Sequence, residues 1–229
     1  MPEKLGDSYA FLIVLSLLLT VICLLVGFYA NIETVKAMGV TYAIMTITGL
    51  IMLVSGKIEP GQNHLFAYAI ALSSMAVVAF LSAFFVGTFR IMGILEVTKW
   101  PTELAEQPAI IVGIGSLALS LSITPQLLTT FLLQVPTGTG EESFFRVFLI
   151  NVLEPFMGTS LARIASAVSF GIMHYLAYQM QPAAIVTATL AGYVLAYVYT
   201  ETRSATAVCL AHITWNILSL VGASIIGGI

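Results

Sequence analysis

Long apolar runs, broken by short polar stretches, repeat along almost the whole chain. A helix needs about 20 mostly apolar residues to cross a bilayer core. Runs of this kind lie at 9–30, 38–55, 64–89 and 109–135. The breaks between them are Asn31 to Lys36, Gly56 to Asn63 and Glu96 to Gln107. Pro125 inside the fourth run points to a kink or to two shorter pieces. Pro136-Thr137-Gly138-Thr139-Gly140 reads as a breaker, with Thr137 and Thr139 as candidate caps. A helix over 141–154 then ends at Pro155, and three more follow at 159–179, 182–200 and 204–226. The pattern predicts an all-α, polytopic membrane helix bundle of about eight transmembrane helices, forming a single membrane domain over 1–229.

Composition narrows the class. Of 229 residues, 59% are hydrophobic and 8% are charged, and mean hydropathy is +1.02. A soluble domain carries about 25% charged residues. Eight basic and eleven acidic side chains cannot cover a soluble globule of this size. A soluble enzyme, a disordered chain and a disulfide scaffold are therefore excluded, and lipid must cover the apolar surface. Net charge is −3 with no basic run, so nucleic acid is not an expected partner. Lys4 and Lys57 fall on one side of the alternating spans, and Lys36, Arg90 and Lys99 on the other. The positive-inside rule thus gives no orientation. The first run is longer than the apolar core of a signal peptide and lacks a clear cleavage site, so it reads as a retained span. Cys23 and Cys209 each sit in an apolar run and read as small buried hydrophobes.

Charge is rare, so its position carries information. Most charged residues lie in the polar breaks, as solvated loops do. The C-terminal half differs. Glu141, Glu142 and Arg146 open one helix, His174 is in the middle of the next, and His212 and Asn216 lie inside the last. Ionisable groups within spans are costly and mark functional sites by default. Glu142 and Arg146 are spaced i, i+4 and can pair. Glu141 lies about 100° around the helix from Glu142 and is less committed to Arg146. Phe170 and His174 share a face, as do His212 and Asn216. Each group alone also has a purely structural reading: a salt-bridged helix start, a hydrogen-bonded core histidine, and an interhelical polar pair. Together they supply a base, a proton carrier and hydrogen-bond donors, the parts needed to hydrolyse an amide with water. No Gly-x-Ser-x-Gly elbow is present. Cys209, three residues before His212, keeps a thiol mechanism open. His64 reads as an interfacial helix-start residue.

The order Glu-Glu-x-x-x-Arg, Phe-x-x-x-His, His-x-x-x-Asn on successive helices resembles the CPBP family of intramembrane proteases. That family includes the type II CAAX prenyl endopeptidases (Rce1-like) and the bacteriocin-processing and immunity-type proteins, also called ABI. The resemblance spans 137–220, the catalytic helices, whereas 1–135 carries helices without a motif. It implies an intramembrane endopeptidase of multi-pass topology in the cell membrane, in contact with lipid. The implied substrate is a peptide or a prenylated protein, and the implied cut removes the C-terminal tripeptide of a CAAX tail. Glu141 would activate a water with His174, His212 and Asn216 would donate to the oxyanion, and Glu142 and Arg146 would support them. No cofactor is expected. The alternative is a zinc-dependent protease with Glu141, His174 and His212 as ligands, although His-Glu-x-x-His is absent and asparagine is a poor zinc ligand. A non-catalytic scaffold or immunity protein is the second alternative. A proton-coupled transporter is disfavoured by the lack of an inverted repeat.

Overall fold

The computed structural model describes residues 6–59, 61–91, 109–114, 117–122, 125–177 and 182–226. Seven α-helices carry most of them: α1 (Gly6–Tyr29), α2 (Glu33–Val54), α3 (His64–Ile91), α4 (Pro125–Glu142), α5 (Asn151–Ala177), α6 (Pro182–Thr202) and α7 (Ala205–Ile226). A π-helical segment, Ser143–Ile150, joins α4 to α5. The helices form the bundle that the hydropathy pattern predicts. Five stretches are long and apolar enough to cross a membrane among the described residues. One of these, Leu128–Tyr175, runs through α4, the π segment and most of α5, while α7 contributes the shorter apolar stretch Ala205–Val221.

The described residues do not confirm the count of eight spans, for two reasons. The expected run at 109–135 is not one helix. Its first part pairs as two short antiparallel strands, β1 (Ala109–Ile114) and β2 (Leu117–Ser122), with Ala109 opposite Ser122. The sequence carries the cause: Ile110, Ile111, Val112 and Ile114 are β-branched, and Leu117, Leu119 and Leu121 alternate with smaller residues. In addition, Pro136 to Gly140 does not break the chain; α4 continues through it into the π segment. Thr137 is therefore no cap, and its hydroxyl donates to the Leu133 carbonyl at 2.8 Å, one turn back.

The other boundary moves as well. Pro155 lies within α5, and the axis breaks three residues later at Gly158, with φ 78° and ψ 163°. Only glycine adopts that region freely. The expected stop at Pro155 thus becomes a stop at Gly158.

The core is built largely from small side chains. Ala67, Ala71, Ala162, Ala196, Ala207 and Ala211 are all buried in it, around Ile13, Leu195 and Val208. Small residues let helix backbones approach closely, which is how membrane bundles gain packing where apolar burial gains nothing. The outer surface is the reverse. Phe11, Leu65, Phe80 and Phe156 are exposed, as a lipid-facing surface allows.

The α6–α7 turn is tied to one end of the bundle. Arg203 has φ 53° there. It pairs with Glu154 through two contacts of 2.9 Å and with Glu59 at 3.5 Å. The hydrogen bond to the Glu154 carboxylate raises the Arg203 guanidinium above its ordinary pKa. His64, expected to be only interfacial, pairs through Nδ1 with Ser204 Oγ at 2.5 Å and ties α3 to the start of α7. Arg163 pairs with Glu201 and hydrogen-bonds to Thr200 across α5 and α6. These links fix where α7 begins, and α7 carries His212.

Candidate active site

The site starts at the change of helical pitch. Glu141 and Glu142 are the last residues of α4, and Ser143 is the first of the π segment. A π turn bonds i to i+5 and often marks a functional site. It leaves backbone carbonyls for side chains to satisfy. Ser166 on α5 donates to the Phe145 carbonyl at 2.8 Å, and Asn151 donates to the Val147 carbonyl at 2.8 Å. Ser143 pairs with the Tyr9 hydroxyl of α1 at 2.8 Å. Gly49 of α2 lies against that pair; a Cβ there would meet Tyr9 Oη at 2.5 Å and Ser143 Cβ at 2.6 Å. Only glycine fits.

Glu142 and Arg146 are both completely buried. Arg146 Nε lies 3.1 Å from Glu142 Oε2, the i, i+4 pair that the spacing allows. Arg146 Nη2 also donates to the Gly192 carbonyl of α6 at 3.1 Å. Its guanidinium carbon sits 4.4 Å from the centre of the Phe170 ring, a contact that holds a planar cation in place. Glu142 turns its other oxygen to α7, where Oε1 accepts from His212 Nδ1 at 2.7 Å. One carboxylate therefore links the π segment, α6 and α7 through Arg146 and His212.

Glu141 occupies the next position round the helix and is 4% exposed. Its Oε2 lies 3.6 Å from His212 Nε2 and 3.9 Å from His174 Nε2. Neither distance is a hydrogen bond. Among the described residues that oxygen has no hydrogen-bond partner. Buried carboxylate oxygens are rarely left so. His174 is oriented by its own helix: Nδ1 donates to the Phe170 carbonyl at 2.8 Å. A neutral His174 must then carry its lone pair on Nε2, on the Glu141 side. Phe170 packs against both histidines, with ring centres 4.4 Å from His174 and 5.8 Å from His212.

The structure thus brings Glu141, Glu142, Arg146, Phe170, His174 and His212 into one cluster, buried except at the partly exposed His174. Asn216 lies one turn after His212 on α7, half-buried, and makes no hydrogen bond to the other six among the described residues. Cys209 is fully buried in the core cluster. The described residues contain no group of three His, Cys, Asp or Glu side chains arranged to hold a metal ion.

This geometry lies inside the stretch of sequence that matches a family model. Residues 121–218 match the Rce1-like family of type II CAAX prenyl endopeptidases. No curated protein and no solved structure matches the chain. The matched stretch includes every residue of the cluster, from Glu141 on α4 to His212 on α7, and Asn216 as well. The match implies a peptidase, and with the long apolar helices it implies an integral membrane protein.

Sequence reasoning missed several residues that support this cluster. Gly192 opens a stretch to Asn216 that resembles the family in sequence, but no spacing there ties its carbonyl to Arg146. Ser166 and Tyr9 are single polar residues in apolar runs, with no spacing that ties them to Glu142. Their partners lie in the π segment, and nothing in the local pattern announces that change of pitch.

Proposed function

We propose that the protein is an intramembrane endopeptidase in which Glu141 activates a water against a peptide bond. The observation that carries this reading is Glu141 Oε2, buried beside the Nε2 atoms of two histidines and hydrogen-bonded to neither. With Glu141 ionised and His174 neutral, both present acceptors to the same space. A water there gives one proton to each and turns its lone pairs outward. Glu141 takes a proton as the water oxygen bonds to the scissile carbonyl carbon. The carbonyl π electrons move to oxygen, and collapse of the tetrahedral intermediate breaks the C–N bond. The proton held by Glu141 leaves with the amine.

The charges support the same assignment. Glu141 and Glu142 would be two buried anions beside a single arginine. An imidazolium at His212 makes the cluster neutral, and buried charge is tolerated only when balanced. His212 then donates through Nδ1 to Glu142 and carries a second N–H at Nε2. That donor and the Asn216 amide would stabilise the oxyanion. Glu142 and Arg146 hold His212 in place. The step uses water and side chains, with no cofactor.

The substrate proposed from the family match is the C-terminal tail of a prenylated CAAX protein, cut to release its tripeptide. The enzyme would be a multi-pass protein of the cell membrane, and lipid would surround its exposed phenylalanines and leucines. The test is cleavage of a prenylated CAAX peptide by purified protein, beside its unprenylated twin and the isosteric variant Glu141→Gln. Cleavage of the prenylated peptide alone, lost in Glu141→Gln with folding intact, is the expected result. Equal turnover by Glu141→Gln would end the mechanism. Cleavage of both peptides would end the requirement for prenylation, and cleavage of neither would favour a scaffold.

A further inference from the structure

The segment that reads as a breaker, Pro136 to Gly140, lies inside α4 just before the two glutamates and is buried except at the half-buried Thr137. Its glycines face different neighbours. A Cβ on Gly140 would meet Thr46 Oγ1 at 3.2 Å and the Tyr42 carbonyl at 3.4 Å, both on α2. A Cβ on Gly138 would meet Ile213 of α7: Cγ1 at 2.7 Å, the backbone nitrogen at 3.1 Å and Cα at 3.4 Å. A flexible side chain could step aside, but the backbone of α7 could not. Ile213 is the residue after His212. Gly138 is one turn before Glu141 and Glu142 and shares their side of α4.

We infer that Gly138 is a positioning residue: the missing side chain sets the distance between α4 and α7 on which the Glu142–His212 bond and the Glu141–His212 approach depend. The relation is direct. The bond is 2.7 Å long, and an α7 displaced by a few tenths of an ångström must lengthen or bend it. The approach at 3.6 Å widens in step. Reacting groups misplaced by about 1 Å lose on the order of 100-fold in rate, so a smaller shift should cost about tenfold. The part of this that concerns turnover rests on the peptidase reading, whereas the part that concerns His212 rests on the geometry alone.

The test is Gly138→Ala, with Gly27→Ala as its matched control. Gly27 has a comparably close backbone approach, with Lys36 N at 3.0 Å from an added Cβ. It lies where α1 meets α2, at the opposite end of α1 from Tyr9. Two readouts are taken on each protein in detergent or nanodiscs. One is kcat and KM on a prenylated CAAX peptide. The other is the imidazole NMR signal of His212 in histidine-labelled protein, assigned by His212→Gln. Gly138→Ala should shift the His212 Nδ1 proton resonance and lower kcat about tenfold, with KM within about twofold. Gly27→Ala should do neither, whatever it does to melting temperature. A Gly138→Ala protein with an unshifted resonance would overturn the inference, even if its melting temperature fell. A wild-type protein without peptidase activity would sink the proposed function alone, and the resonance would still decide the role of Gly138. Should Gly138→Ala fail to fold, the double variant Gly138→Ala, Ile213→Ala relieves the Cγ1 contact and keeps the backbone one. A shifted His212 signal is expected in it as well, and an unshifted one is fatal.

Discussion

The guanidinium of Arg146 lies over the ring of Phe170, 4.4 Å from its centre, while its edge pairs with Glu142 and donates to Gly192. Three elements converge on one side chain that solvent does not reach. A lysine has the charge but neither the planar face nor the fork of donors. Arg146→Lys should therefore fold with reduced stability and lose most activity. Arg146→Met should be worse, because Glu142 keeps its burial and loses its arginine. Breaking a buried pair from one side costs about 3–5 kcal/mol. Thermal unfolding of both variants in one detergent checks the order. Equal melting temperatures for Met and wild type would mean that Arg146 does not hold Glu142.

The π segment has its own test. Ser166 is buried and donates to the Phe145 carbonyl, next to Arg146. Interhelical hydrogen bonds in membranes contribute on average about 0.6 kcal/mol, with a maximum near 1.7. Ser166→Ala should cost about 1 kcal/mol and leave the fold intact. If the bond also holds the widened turn in register, Ser166→Ala lowers kcat with KM unchanged. Ser166→Thr, which restores the hydroxyl, should recover activity. Failure of Thr to recover what Ala loses would point to lost packing.

Some of this was readable from the sequence, and the limits have physical causes. The Glu142–Arg146 pair follows from helical spacing, since i, i+4 residues are neighbours on an α-helix and stay near each other through the π turn. So does the sharing of a face by Phe170 and His174. The partners across helices do not follow, because periodicity fixes a direction but no neighbour. Thus Glu142 to His212 and Arg146 to Gly192 needed the fold. The breaker at 136–140 was misread for a related reason. Proline and glycine weaken an isolated helix, but in a bundle the same glycines admit α2 and α7. Propensity sees the local cost, and the gain is tertiary. The stop at Pro155 failed similarly, because a proline marks weakness while the conformation at Gly158 forces the break. The alternation in 117–122 was legible, but the overall hydropathy of the run hid it.

Metal dependence can be checked directly. The proposed step uses a water held by Glu141 and His174. Extended dialysis against a strong chelator should leave turnover unchanged, and added zinc should not raise it. Loss of activity that zinc alone restores would make Glu141, His174 and His212 a ligand set, and the described mechanism would fall. Metal content of the active, dialysed protein gives the second reading of the same experiment.

Asn216 decides between catalysis and packing. It follows His212 by one turn on α7 and is half-buried. As an oxyanion donor it would act mainly in the transition state, so its loss should lower kcat far more than it changes KM. Removing one such donor typically costs about 100- to 1,000-fold in kcat. Asn216→Ala should fold, bind peptide almost normally and turn over slowly. Asn216→Asp should be slower still, because it exchanges a donor for an acceptor and can set a negative charge against the developing oxyanion. A packing role predicts the opposite pattern: a lower melting temperature with normal kcat in the folded fraction. The two quantities must come from the same preparation, because a partly unfolded sample mimics a slow enzyme. Active-site titration with a tight-binding, non-covalent peptide analogue corrects for that. Normal turnover per titrated site in Asn216→Ala would remove Asn216 from the site and leave His212 as the oxyanion donor.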